Sequence, residues 1–124
     1  MIDNVNLGES MGKAKPIFLT SGRHWSKKGD ARAHFKDMLS RYSAGDRVND
    51  PSDHADLAAL LAVYDSVLAT GEPTKAGCGV SHFEKRWDTD HPGYTACFFV
   101  VRTDGTSIDF STIKALDVAS DKAS

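Results

Sequence analysis

The chain reads as an α+β domain, a small antiparallel sheet packed against two helices. Three observations predict it. Apolar residues recur at helical spacing between positions 57 and 68, a β-branched and aromatic run fills 94–102, and an Asp104-Gly105 pair follows that run. The expected sheet joins an N-terminal strand to a C-terminal three-stranded meander, with both helices on one face. One domain is expected over residues 15–117, between a disordered N-terminal segment at 1–14 and a flexible tail at 118–124.

Each element has its own signal. Residues 15–19 (KPIFL) form a short apolar run before a turn-like TSGRHW, which predicts the first strand. Ser26 is a candidate N-cap for a helix whose face holds Ala31, Phe35, Met38, Leu39 and Tyr42, with Gly45 placed to end it. The second helix has the clearest start: Asp50 as N-cap, Pro51 at the first helical position, and Asp53 in the first turn. Leu57, Leu60, Leu61, Tyr64, Val67 and Leu68 make its apolar stripe, and Gly71 and Pro73 stop it.

Strands are expected at 78–87, 94–102 and 106–111, with 88–93 (DTDHPG) as a loop by composition. Asp-Gly suits a two-residue type I′ turn. That turn pairs Val101 with Ile108 and Phe99 with Phe110, placing these four on one apolar face. Arg102 and Asp109 then become diagonal neighbours about 7–8 Å apart, close enough to pair as a fold device. A three-residue loop would instead set Phe99 opposite Asp109 and break that patch.

The bulk numbers exclude several classes. A chain of 124 residues with net charge −2 has the length of one domain and no global basic field. No signal peptide or membrane-length apolar run is evident, so a cytoplasmic monomer without membrane attachment is expected. Two cysteines make no disulfide framework. Cys78, His82, His91 and Cys97 lack the Cys-x2–4-Cys spacing of a zinc site, so no metal or other cofactor is expected. No nucleophile motif is present, and Gly77-Cys78-Gly79 lacks the lysine and helix of a phosphate loop. Those glycines predict a bulge or a close backbone approach at a strand start. A metal-dependent nuclease on Asp88, Asp90 and His91 ranks third among the readings, behind two non-enzymatic ones.

The C-terminal half carries a recognisable pattern: Lys75, Gly77 and Gly79; Cys97 and Phe98; Arg102, Asp104 and Gly105; Asp109, Phe110 and Ser111; then Lys114. It resembles the DCL domain family, named for plant "defective chloroplasts and leaves" proteins, over about residues 16–116. Ala96 and Thr112 stand where that family often has an arginine and an aromatic. The resemblance implies a role linked to ribosomal RNA maturation, with no catalytic residues or cofactor.

On that basis the first expectation is a non-catalytic RNA-associated module. Its candidate contacts are Arg23, Trp25, Lys27, Lys28, Arg32, Lys36, Lys75, Lys85, Arg86 and Lys114, since phosphates take Lys/Arg and unstacked bases take aromatic planes. The alternative is a protein-interaction domain docking a transcription or ribosome-assembly partner.

Overall fold

The computed structural model describes residues 16–68, 71–87 and 95–123. In chain order these form β1 (Ile17–Phe18), β2 (His24–Trp25), α1 (Lys28–Ser40), α2 (Pro51–Ser66), β3 (Val80–Trp87), β4 (Ala96–Arg102), β5 (Ser107–Phe110) and α3 (Thr112–Ala123). The α+β class follows the sequence, with three helices and two small antiparallel sheets among the described residues. The segment 1–14 and the acidic loop with Asp88, Asp90 and His91 lie outside the described residues.

The second helix forms for the reasons its sequence supplies. The Asp50 carboxylate accepts the Ser52 and Asp53 amides at 2.8 and 3.2 Å, satisfying two N–H groups that a helix start leaves without partners. Leu57, Leu60 and Leu61 are buried, each worth about 1.5–3 kcal/mol. They meet Phe35 and Met38 of α1, and Phe83, Phe98, Val100 and Phe110 of the sheet. The first helix starts one residue later than expected: Lys27, not Ser26, is its N-cap, and it ends at Arg41 with Gly45 four residues beyond.

Three expectations need correction. The first strand does not join the meander; β1 pairs with β2 in a separate two-stranded ribbon, Ile17 opposite Trp25. The tail expected at 118–124 is largely helix, because α3 runs to Ala123. Its start is capped by Ser111, whose hydroxyl accepts the Lys114 amide and whose carbonyl accepts that of Ala115. Thr112, Ala115, Leu116, Ala119 and Ser120 fall on one helical face, and the last four are buried. Small residues carry most of that face, and they let α3 approach α1 and α2 closely.

The third correction is the hairpin register. Phe98 pairs with Phe110, Phe99 with Asp109, Val100 with Ile108 and Val101 with Ser107. The loop therefore has three residues, 103–105. Gly105 donates its N–H to the Arg102 carbonyl at 2.9 Å and takes φ +89°, the form of a turn closed by a left-handed glycine. The Asp104 carboxylate locks this choice by accepting the Thr106 amide at 3.0 Å and its hydroxyl at 2.6 Å. Phe99 and Phe110 thus point to opposite sides. The face toward the helices carries Phe98, Val100, Ile108 and Phe110, so an apolar patch survives with different members.

The linker after α1 lies along the outer edge of β3. Gly45 N–H donates to the Lys85 carbonyl at 2.7 Å, Lys85 N–H to Asp46 at 3.0 Å, and Val48 N–H to Phe83 at 2.8 Å. Arg47 sits opposite Glu84. The register of β3 shifts between Val80 and His82, so the expected irregularity falls at the strand start, just past the glycines.

Candidate functional site: a groove between two helices

Most of the charged side chains hold the fold. Asp53, 5% exposed, accepts two bonds from the Arg41 guanidinium at 2.8 and 3.1 Å and one from the Tyr42 hydroxyl at 2.7 Å. The guanidinium holds the Asp53 carboxyl below the usual carboxylate range, while burial and the Asp53 charge push Tyr42 up to about 12. Asp56, one turn later and 4% exposed, binds Arg23 Nε and His34 Nε2, both at 2.9 Å. These two carboxylates tie α2 to α1 and to the ribbon.

The predicted basic set is sorted by these contacts. Arg23 is paired with Asp56 and lies over Trp25, whose ring packs on His34 and Phe35. Lys28 binds Asp117 at 2.8 Å. Lys75 donates to the Asp109 carbonyl at 2.7 Å, and Lys85 to the carbonyls of Leu39 and Tyr42 at the end of α1. Arg86 bridges Glu84 and Ser107 over the Phe99 ring. Arg102 does not pair with Asp109. Its Nε donates to the Lys75 carbonyl at 2.9 Å, and its stem crosses Gly77, where a Cβ would lie 2.8 Å from it. Gly77 at φ +55° is therefore a close-approach glycine, as its sequence context predicts. Gly79, at φ +134°, accepts the Thr103 amide and fixes the hairpin against the loop before β3.

Lys27, Arg32, Lys36 and Lys114 are left, exposed and without ion pairs among the described residues. Three of them converge. Arg32 and Lys36 on α1 and Lys114 on α3 rim two adjoining cavities of about 360 and 460 Å3. The cavities share Leu39, Thr112 and Ile113, forming one groove between α1 and the start of α3. Its far end is closed by Phe98, Asp109, Phe110 and Ser111 of the sequence pattern. Ile113, which lines both cavities, is 53% exposed, whereas Phe35, Phe98 and Phe110 are at most 2% exposed. The groove can hold an apolar side chain beside an anionic group; it presents no open ring face on which to stack a base.

Of the cysteine and histidine set, His91 lies outside the described residues, and Cys78, His82 and Cys97 do not group as metal ligands. Cys78 contacts the Thr103 hydroxyl at 3.2 Å, Cys97 lies in β4, and neither forms a disulfide. His82 bonds Ser81 at 3.0 Å and Glu84 at 2.6 Å, which holds the Glu84 carboxyl below its ordinary range. Among the described residues no three His, Cys, Asp or Glu side chains group as metal ligands. No helix among the described residues is long and apolar enough to cross a membrane.

Sequence reasoning named Arg32, Lys36 and Lys114 but missed Leu39 and Ile113 as functional candidates. The signal for Ile113 was an apolar residue directly after a capping Ser-Thr pair, on the exposed side of an unrecognised helix.

Two comparisons with other proteins bear on this arrangement. The model of a family described as "Protein of unknown function (DUF3223)" matches residues 36–116. An uncharacterized protein from Rhodospirillum rubrum, solved in solution by NMR, shares 40% identity with a TM-score of 0.66, over 85% of this chain and 91% of that one. A comparison with curated proteins gives no match. The DCL resemblance is overturned by the family match, and the ribosomal RNA role it implied loses that support. Neither the family nor the solved relative carries a catalytic assignment.

Proposed function

The chain belongs to the DUF3223 family, and from that premise we propose that it is a non-catalytic docking module whose α1–α3 groove takes an acidic, partly apolar segment of a partner protein. One observation carries the reading. Arg32, Lys36 and Lys114 are the exposed cations left without ion pairs around a single apolar groove, while the other basic candidates except Lys27 are spent on the fold. Such a rim and floor suit a helix or extended strand with an apolar anchor over Ile113 and carboxylates beside it. Charge complementarity there sets orientation and association rate more than affinity.

RNA association is the second reading, favoured by Arg86 lying over Phe99 on the sheet face away from the helices. A guanidinium on an aromatic ring is one of the surfaces that single strands use. The groove itself, apolar and without a stacking plane, fits a peptide better.

Amide shifts on titration separate the two. The probes are a synthetic amphipathic peptide of alternating Glu and Leu turns, and a short single-stranded uridine RNA, each at low and physiological salt. The peptide should perturb Lys36, Leu39, Ile113 and Lys114, and Lys36→Glu with Lys114→Glu should weaken it about tenfold or more, a little over 1.4 kcal/mol. Ile113→Asp should do the same without unfolding the exposed site. A groove silent to the peptide, or RNA binding more tightly than the peptide at physiological salt, would reject the docking reading.

A further inference from the structure

We infer that a second, separate cavity receives a phosphomonoester. It lies at the N-terminal end of α2, between the linker that enters the helix and the irregular start of β3. Its volume is about 560 Å3, and Arg47, Asn49, His54 and Ser81 supply polar side chains to its wall.

Two of those side chains are left without partners. Nearly every other half-buried charged or imidazole group is satisfied: Asp53 by Arg41, Asp56 by Arg23 and His34, Glu84 by His82 and Arg86. His54 is half-buried with its ring on the edge of Phe83, 5.4 Å between centroids, and its ring nitrogens make no hydrogen bond among the described residues. Arg47 is exposed beside it with no ion pair, although its backbone is fixed opposite Glu84. A half-buried imidazole normally finds a partner, and His54, facing the cavity beside the exposed Arg47 guanidinium, marks where a ligand supplies one.

The chemistry of the donors selects the ligand. A guanidinium fork binds two oxygens at once. Asn49 and His54 add an amide and an imidazole, more donors than the two oxygens of a carboxylate need and enough for the three of a phosphomonoester, while the Ser81 hydroxyl is engaged with His82 Nδ1 at 3.0 Å. The nearby carboxylates do not compete for the cations. Asp50 is turned onto the helix amides, and Glu84 is held by His82 and Arg86. His82, bonded to Ser81 and Glu84, also lines the wall, and Val48 and Pro51 leave apolar surface for the organic part. The bulge at the start of β3 places Ser81 at the rim, a common use of such irregularities beside ligand sites.

The test is an NMR titration of the intact protein at constant ionic strength with inorganic phosphate, O-phosphoserine, a phosphoserine-containing hexapeptide, acetate and chloride. Phosphate and O-phosphoserine should give saturable shifts at Arg47, Asn49 and His54. Arg47→Ala should weaken them about tenfold or more, the loss of one charge-assisted fork. His54→Gln should weaken them less, and Lys36→Glu in the groove should leave them unchanged. Tighter binding of the hexapeptide than of O-phosphoserine identifies a phosphorylated protein segment as the source; the reverse identifies a free phosphorylated metabolite. Equal response to acetate, a response to chloride, shifts that do not saturate, or binding retained in Arg47→Ala would each overturn the proposal. Because Arg47 is exposed, its variant keeps the test valid even if His54→Gln perturbs the core.

Discussion

The acidic residues of α2 show how a few side chains hold separate elements together. Asp53 is buried with its charge kept by Arg41 and Tyr42, so its carboxyl titrates below the ordinary range. A depressed carboxyl stabilises the fold above its unfolded pKa of about 4, and that contribution is lost as pH falls through the folded value. Asp53→Asn should therefore cost about 2 kcal/mol at pH 7, below the full penalty of a buried pair because Arg41 is half exposed. Urea unfolding should show that cost shrinking as pH falls below about 4. Gly77 makes a different demand. At φ +55° and under the Arg102 stem, it leaves no room for a Cβ, and Gly77→Ala should lower stability by about 1–3 kcal/mol, read from the urea midpoint. The variant also has to displace Arg102 from the Lys75 carbonyl.

At the scale of elements, legibility followed the strength of local signals. The second helix was readable because capping, proline position and leucine spacing all agree. The last helix was not, because three of its four buried residues are Ala115, Ala119 and Ser120, too small to stand out as an apolar stripe. Truncation after Asp117 removes the buried Ala119 and Ser120, where the sequence suggested an expendable tail. It should cost about 2–4 kcal/mol in urea unfolding, and an unchanged midpoint would mean that this turn does not pack. The hairpin failed for a third reason. Either register puts two phenylalanines and two branched residues together, so burial alone does not choose, and the choice falls to Asp104 gripping Thr106 with Gly105 left-handed. The fold class survived because helices pack on whichever sheet face is oily.

Over the whole molecule, a net charge of −2 conceals an uneven distribution. Asp53 and Asp56 are buried as fasteners, and three cations are left along one groove. The basic residues of that groove were visible in the sequence one by one. Their meeting was not, since Lys36 and Lys114 are brought together only by the antiparallel approach of two helices, one of them unforeseen. The linker that borders β3 has a consequence of another kind. Its peptide groups already occupy that margin of the sheet through three backbone hydrogen bonds, and Val48 pins it into the core. A neighbouring molecule finds there no vacant row of amides and carbonyls to copy, so fibril-like growth from this flank must first peel away a strap anchored between two helices.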